Sequence, residues 1–250
     1  MRLKGRVALI TGASSGIGRA IANIFAAQGC DLAINGRNQQ RLQVVSEEIK
    51  NMGRKVLILN GDVSDFDKVQ QLGQKALSTY GKIDILVNNA GMSQKKTILE
   101  LSEAEWDLII SVNLKSAFNW IKAVLPTMQS NGYGKIINIS SVLAKAGIGR
   151  GSKAAYAASK AGLLGLTRGL AKEVAPAIYV NAVCPGTIDT PMSEKITKSK
   201  LLSKKVMASI PLQRFGLPQD VANVVLFLAT EDSDYLTGEI IDVNGGSYID

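Results

Sequence analysis

The feature that most constrains the fold is a regular alternation of short apolar runs and stretches with helical periodicity. The apolar runs cover residues 7–11, 31–35, 55–59, 83–90, 135–140, 178–183 and 239–243. Helical patterns lie between them over 16–28, 38–51, 65–79, 102–128, around Tyr156 and over 218–229. Strands that alternate with helices form parallel βαβ units, and strands apolar on both faces are typical of buried parallel sheets. The sequence therefore predicts an α/β fold: one doubly wound domain over residues 1–250, with a parallel seven-stranded sheet and helices on both faces.

The chain contains no histidine and two cysteines, which excludes several kinds of chemistry. A Ser-His-Asp triad, a Cys-His pair and every zinc site with a histidine ligand are ruled out, and we expect no metal site. Any acid or base must be Tyr, Lys, Asp, Glu or water. Cys30 and Cys184 form no Cys-x-x-Cys motif and lie in apolar segments, so they are predicted to be buried free thiols.

The sequence shows no stretch of about 20 uninterrupted apolar residues, the length that a membrane span requires. Its start, MRLKGRVALITG, is basic and then briefly apolar. It lacks the longer apolar region and the cleavage site of a signal peptide. We therefore expect a cytoplasmic protein without a membrane partner.

Lysine and arginine outnumber the acidic residues by 29 to 21, which gives a net charge of +8. This surplus suits an anionic ligand, an acidic protein partner or a nucleic acid. The basic residues are scattered apart from a cluster in residues 194–205, and no nucleic-acid motif accompanies them. We therefore expect no nucleic-acid partner; a gel shift at moderate salt would test that expectation.

A glycine-rich turn, TGASSGIG, leaves the first apolar run and opens the first helix. Glycines at this place permit a tight turn, close approach of a phosphate and close packing of helix on strand. The helix start offers free N–H groups and a positive dipole end to a pyrophosphate. A Rossmann-type dinucleotide site is favoured over a plain turn because of this position between strand and helix. Its residues would be Gly12, Ser14, Ser15, Gly16, Ile17 and Gly18.

The second apolar run ends in NGRN, residues 35–38. A site selective for NAD places an acidic residue near this point to bind the ribose 2′-hydroxyl. Here Gly36 and Arg37 occupy the turn, and the last acid, Asp31, lies at the start of the run. Arg37 can clamp a 2′-phosphate, so we expect NADP(H) rather than NAD(H), although an ordinary surface arginine is the alternative.

The segment AAYAASKAGLLG brings Tyr156 and Lys160 to one face of an otherwise apolar helix, because residues four apart are neighbours on a helix. The positive charge of Lys160 would favour the tyrosinate and lower the pKa of Tyr156. Such a phenol could give a proton to a carbonyl oxygen or take one from an alcohol. The alternative is that both side chains only pack.

Six motifs occur in an order that resembles the classical short-chain dehydrogenases/reductases: TGASSGIG, NNAG, Asn113, NISS, YAASK and NAVCPGTIDT. This resemblance extends over the whole chain. It implies catalytic roles for Ser141, Tyr156, Lys160 and Asn113. Ser141 would hydrogen-bond the reacting oxygen, Lys160 would also hold the nicotinamide ribose, and Asn113 would hold a water that relays protons to Lys160.

The resemblance also implies further cofactor contacts, a lid and an assembly. A substrate lid is expected near residues 188–212, and the C-terminal segment implies a homotetramer. The implied cofactor-binding residues, beside those of the glycine turn, Arg37, Tyr156 and Lys160, are Asp62, Val63, Asn89, Ala90, Gly91, Pro185, Gly186, Ile188 and Thr190.

Within the family, the chain most resembles the 3-oxoacyl-[acyl-carrier-protein] reductases, which implies an NADP(H)-dependent reduction of an acyl thioester and an acidic carrier-protein partner. Sugar dehydrogenases of the glucose type and reductases of small ketones share most of the motifs. A non-catalytic NADP(H)-binding regulator is a further alternative. Ser141 and Tyr156 are 15 positions apart, somewhat more than in similar reductases, and the extra residues lie within 143–154, beside the expected substrate.

Overall fold

The computed structural model describes residues 1–94, 96–147 and 153–249. Its seven strands form one sheet in the order β3-β2-β1-β4-β5-β6-β7, and every neighbouring pair is parallel. This confirms the predicted doubly wound, Rossmann-type architecture. The strands are β1 Val7–Ile10, β2 Asp31–Gly36, β3 Val56–Asn60, β4 Ile85–Asn88, β5 Gly134–Ile139, β6 Ile178–Pro185 and β7 Ile240–Val243.

Helices cover both faces of the sheet. A π-helical turn, Ser111–Lys115, joins α4 to α5, and a 3₁₀ turn, Glu231–Ser233, follows α10. The helices are α1 Gly16–Ala27, α2 Gln39–Asn51, α3 Phe66–Tyr80, α4 Glu103–Ile110, α5 Ser116–Ser130, α6 Leu143–Ala146, α7 Ala154–Val174, α8 Glu194–Thr197, α9 Lys200–Met207 and α10 Pro218–Ala229.

Two apolar layers hold the sheet between its helices. On one face α1, α2 and α10 bury residues such as Phe25 and Ile21, and on the other α3, α5 and α7 pack around Trp120. Each of these three side chains is fully buried. Cys30 and Cys184 are buried and free, as predicted.

Helix starts follow local sequence signals. Asn38, Asp65 and Ser102 each precede a helix and accept a hydrogen bond from a backbone N–H of its first turn, as N-cap residues do. The helical run Glu103–Ser130 is long and apolar enough to cross a membrane by length and composition alone, but half of it is buried in the protein. It packs against α3 and α7, as a core helix does.

The order of the strands determines where a ligand can bind. The chain leaves β1 for β2 on one side, and β4 pairs with β1 on the other side. In open parallel sheets the crevice at such a reversal, beyond the carboxyl ends of the strands, is the usual ligand site. The predicted glycine turn and the NNAG segment follow these two neighbouring strands.

Candidate active site

The turn after β1 has room only for glycine at two positions. Gly12 has φ +64°, and a Cβ there would lie 2.9 Å from the Cα of Ala90. A Cβ at Gly18 would overlap the carbonyl oxygen of Gly12 and lie 2.9 Å from its carbonyl carbon. The predicted tight turn and close helix packing are therefore present. Gly16 has φ +55°, and a Cβ added there would lie 3.2 Å from Cγ2 of Thr190.

Gly18→Ala should disrupt this turn, because the added methyl group meets backbone rather than the end of a flexible side chain. We expect dinucleotide affinity to fall at least about 10-fold and stability to fall by about 1–3 kcal/mol, as in overpacked cores. Cofactor titration and urea unfolding measure the two effects. Gly169→Ala is the control, since that glycine also lies in a helix but has open space around it; equal cofactor losses in both variants would contradict the steric account.

Hydrogen bonds join the glycine turn to the segment after β4. The hydroxyl of Thr11 accepts from the backbone N–H groups of Asn89 and Ala90, each at 2.9 Å. The side-chain amide of Asn89 donates to the carbonyl of Thr11 at 2.8 Å. Ser15 precedes α1 without capping it through its side chain, so the helix start presents backbone N–H groups to an anion. This arrangement fits a dinucleotide pyrophosphate.

Arg37 and Asp62 meet beyond the ends of β2 and β3. Nη1 of Arg37 lies 3.9 Å from Oδ2 of Asp62, and the arginine side chain is 75% exposed. Asp62 also accepts from the backbone N–H and the hydroxyl of Ser64, at 2.9 and 2.7 Å. Burial raises the pKa of Asp62, but the Ser64 hydrogen bonds and the charge of Arg37 outweigh it and lower that pKa overall. The guanidinium remains open to an incoming anion.

Helix α7 carries Tyr156 and Lys160 on successive turns. Ser141, which follows β5, lies close enough to Tyr156 for its hydroxyl to lower the pKa of the phenol. Lys160 is 4% exposed, and its Nζ donates to the carbonyl of Ile139 at 2.7 Å. Burial lowers the pKa of Lys160 to about 8. The structure therefore brings the two predicted hydroxyl groups together and keeps the ammonium one turn away.

The predicted lowering of the Tyr156 pKa is wrong for this structure. Burial raises the pKa of Tyr156 above its usual value, and the hydrogen bond from Ser141 offsets only part of this rise. Lys160 does not reverse the shift, because its own pKa of about 8 leaves it neutral at the pH where Tyr156 ionises. Tyr156 is therefore a protonated donor at neutral pH.

Asn113 lies in the π-helical turn between α4 and α5, a kind of irregularity that is frequent at functional sites. Its Oδ1 accepts from the backbone N–H of Met92 at 2.7 Å, and its Nδ2 donates to the Met92 carbonyl and to Ser159. A Cβ on Gly91 would lie 3.3 Å from Asn113 Oδ1 and 3.4 Å from Lys160 Nζ. Asn113 and Lys160 therefore both face Gly91, while the water-holding role of Asn113 stays a prediction.

The segment after β6 closes the other side of the site. The carbonyl of Pro185 accepts from Val142, next to Ser141, and Gly186 donates to the carbonyl of Val243. Ile188 is buried and forms an isolated bridge with Gly216. Residues 190–212 then contain the short helices α8 and α9. Of the segment with extra residues after Ser141, residues 148–152 lie outside the described residues.

Comparison with known proteins decides the family. A family sequence model described as "Enoyl-(Acyl carrier protein) reductase" matches residues 12–248. The 3-oxoacyl-[acyl-carrier-protein] reductase FabG of Thermotoga maritima is 43% identical over 253 residues, with 100% of each chain covered. The chain belongs to the short-chain dehydrogenase/reductase family.

Solved structures of short-chain dehydrogenases/reductases have the same fold. Levodione reductase is 33% identical, with a TM-score of 0.93 and 98% of each chain covered. A glucose/ribitol dehydrogenase from Brucella melitensis is 34% identical, with a TM-score of 0.92, and the match covers 100% of this chain and 99% of that one. This short-chain dehydrogenase/reductase is an oxidoreductase that interconverts carbonyl and alcohol groups with a nicotinamide cofactor.

Two contacts in this short-chain dehydrogenase/reductase were not predicted from its sequence. Gln94 accepts a hydrogen bond from the backbone N–H of Tyr156 at 3.1 Å. Lys145 on α6 pairs with Asp242 on β7, with 2.7 Å between Nζ and Oδ2. The position of Gln94 shortly after NNAG was the one signal that could have indicated the first contact. Nothing in the sequence links Lys145 to a residue almost a hundred positions away.

Proposed function

We propose that this protein is an NADP(H)-dependent reductase of 3-oxoacyl thioesters, acting through Ser141, Tyr156, Lys160 and Asn113. The observation that carries the proposal is the placement of Ser141 close enough to Tyr156 to lower the pKa of its phenol, with the buried Lys160 one turn along the same helix. Two hydroxyl groups that meet in this way can both approach one carbonyl oxygen.

In the proposed reaction the carbonyl carbon gains a hydride and the carbonyl oxygen gains a proton. The bound nicotinamide supplies the hydride. Tyr156, protonated at neutral pH because burial raises its pKa, donates the proton as general acid. Ser141 stabilises the developing negative charge on the same oxygen.

Lys160 would restore the proton that Tyr156 loses. Its pKa of about 8, lowered by burial, places it close to the pH of catalysis, where a proton donor is most effective. Its Nζ also lies against Gly91 in the segment that lines the cofactor crevice. This position suits the ribose contact that the family resemblance implies.

Selectivity for NADP(H) would come from Arg37. The residue is exposed at the end of β2, its partner Asp62 is 3.9 Å away, and Ser14 approaches the same turn at Gly36. A guanidinium in this place forms charged hydrogen bonds with a 2′-phosphate. Asp62 and Val63 would contact the adenine on the neighbouring strand end.

Arg37→Ala tests the cofactor assignment. We expect kcat/KM for NADPH to fall about 10- to 100-fold, the worth of charged hydrogen bonds to a phosphate, and kcat/KM for NADH to stay within about twofold. Initial rates with both cofactors measure the ratio. Arg41→Ala removes another exposed arginine, on α2, and should leave the ratio unchanged; equal losses for both cofactors in Arg37→Ala would contradict the assignment.

The thioester substrate is supported by the named activity of the Thermotoga relative and by charge. The proposed lid, residues 188–212, carries exposed lysines, and its helix α9 has no acidic residue. Such a lid suits an anionic substrate or an acidic acyl carrier protein. Of the two basic docking positions of similar reductases, one matches Lys172 at the end of α7, whereas the other falls at Gly132. We further propose a cytoplasmic homotetramer, as the resemblance implies.

A substrate panel tests this proposal against its alternatives. Acetoacetyl-CoA should be reduced with a kcat/KM at least about 100-fold above that of small ketones or of glucose oxidation, since a site discriminates strongly when its polar groups are left unpaired. The names of the two similar solved structures favour a ketone or a sugar as the second candidate substrate. A preference for either of these would contradict the thioester assignment. A regulator would bind NADPH and turn over none of them.

A further inference from the structure

Among the residues that the structure describes before α7, none caps the first turn of this helix through its side chain. Lys153 precedes this helix with φ −130° and ψ 43°, and its side chain makes no capping hydrogen bond. The N–H groups of a first helical turn have no partner within the helix and need one elsewhere. Tyr156 occupies the third position of this turn, where a cap normally binds.

Gln94 supplies that partner from another part of the chain. Its Oε1 accepts the backbone N–H of Tyr156 at 3.1 Å, and its Nε2 donates to the carbonyl of Lys96 at 2.7 Å. The side chain is 3% exposed. Both polar atoms of this buried amide therefore form hydrogen bonds, and Oε1 binds the backbone of Tyr156 itself.

The segment that carries Gln94 is itself fixed to the site. Asn113 binds both the N–H and the carbonyl of Met92, at 2.7 and 3.0 Å. Asn113 also donates to Ser159, whose hydroxyl donates to the backbone carbonyl of Tyr156. Gln94 thus binds the N–H of Tyr156, and Asn113 binds its carbonyl through Ser159. Asn113 also binds Met92, in the segment that carries Gln94.

We propose that Gln94 is a positioning residue that sets the distance between the Tyr156 phenol and Ser141 by capping α7 at Tyr156. The proposal rests on the proposed function, in which Tyr156 is the acid. Without this cap the first turn of α7 loses its hydrogen bond to Gln94 in the segment after β4. The phenol then spends less time beside Ser141, whose hydroxyl lowers its pKa. Small displacements of this kind cost an enzyme much of its rate.

Kinetics of Gln94→Leu and Gln94→Glu test the proposal. Leu removes both hydrogen bonds, whereas Glu keeps an acceptor for the Tyr156 N–H. We expect kcat of Gln94→Leu with NADPH and acetoacetyl-CoA to fall about 10- to 100-fold with KM within about threefold, and Gln94→Glu to recover most of kcat. The pH profile of alcohol oxidation by Gln94→Leu should move to higher pH, because the Tyr156 pKa rises.

Gln70→Leu is the matched control. The Gln70 side chain also donates to a backbone carbonyl on another helix, that of Asn119 at 3.0 Å, but it lies away from α7. Its loss should leave kcat and the pH profile unchanged. A Gln94→Leu enzyme with kcat within twofold of wild type, a change in KM alone, or a Glu variant no better than Leu would overturn the proposal. Gln94→Met, unbranched and similar in volume, replaces Leu if that variant does not fold.

Amide hydrogen exchange separates this inference from the proposed function, because it needs no turnover. Exchange at the start of α7 should accelerate about 5- to 10-fold in Gln94→Leu, the effect of one lost hydrogen bond, and should stay unchanged in Gln70→Leu. Unchanged exchange in Gln94→Leu overturns the cap even if the enzyme is active. If Gln94→Leu exchanges faster but the wild-type enzyme reduces no thioester, the cap is supported and the substrate assignment is refuted.

Discussion

Tyr156→Phe is expected to lower kcat for carbonyl reduction about 1,000-fold, since removal of a general acid costs ~10²–10⁴-fold. The substitution deletes one oxygen, the one whose pKa the neighbouring Ser141 lowers, and keeps the ring. The fold and NADPH affinity should therefore remain those of the wild type. Stopped-flow oxidation of NADPH measures the rate, and cofactor fluorescence measures binding.

Tyr133→Phe is the control for this substitution. Tyr133 lies at the amino end of β5, whereas Ser141 follows the carboxyl end of that strand, and the Tyr133 ring is under the Arg6 guanidinium at 3.9 Å. Its phenol should be dispensable for turnover. An active Tyr156→Phe enzyme would show that another group donates the proton, whereas a biological role that survives in an inactive Tyr156→Phe would favour the non-catalytic regulator.

Lys160→Met is expected to have opposite effects on activity and stability. Reduction should slow at least about 100-fold, because the variant lacks the ammonium that would return a proton to Tyr156. At pH 7 the cofactor-free variant should be about 2 kcal/mol more stable than the wild type. Holding a charged, fully buried lysine with a pKa of about 8 costs the folded state about 3 kcal/mol, and the lost hydrogen bond to Ile139 returns about 1 kcal/mol.

The stability difference should depend on pH in a defined window. Because burial lowers the Lys160 pKa to about 8 from an ordinary value of 10.5, the unfolded chain binds more protons between these values. The stability of the wild type relative to Lys160→Met therefore rises as the pH increases from 8 to 10.5. This gain in stability is lost as the pH falls back through 8. Urea unfolding of both proteins at pH 7 and pH 10 measures the difference in their free energies of unfolding. A difference that is the same at both pH values would contradict a buried, shifted lysine.

Periodicity and glycine spacing sufficed to predict the fold and much of the site. Apolar runs of β type separated by helical patterns predicted the strands and the parallel sheet, because a buried parallel strand has no polar face. Gly12 and Gly18 were predicted for the reasons that the structure shows, since no side chain fits at either position. The order of the motifs predicted that Ser141, Tyr156 and Lys160 lie in one site, and the structure places them close together.

The remaining features depend on burial and on distant contacts. The Tyr156 pKa was predicted with the wrong sign, because residue spacing carries the charge of Lys160 but not the cost of burying both groups. The π-helical turn at Asn113 has no signature in the helical pattern of residues 102–128. The cap by Gln94 joins residues 62 positions apart, a pairing that only the folded chain reveals.

The most direct test of the central claim is the reaction of NADPH with acetoacetyl-CoA, followed beside crotonyl-CoA, which offers a carbon–carbon double bond but no 3-oxo group. Two hydroxyl donors aimed at one oxygen predict that the wild-type enzyme consumes one NADPH for each 3-hydroxybutyryl-CoA formed and leaves crotonyl-CoA unchanged. Reduction of crotonyl-CoA in preference to acetoacetyl-CoA, or oxidation of NADPH without the hydroxyacyl product, would contradict this account.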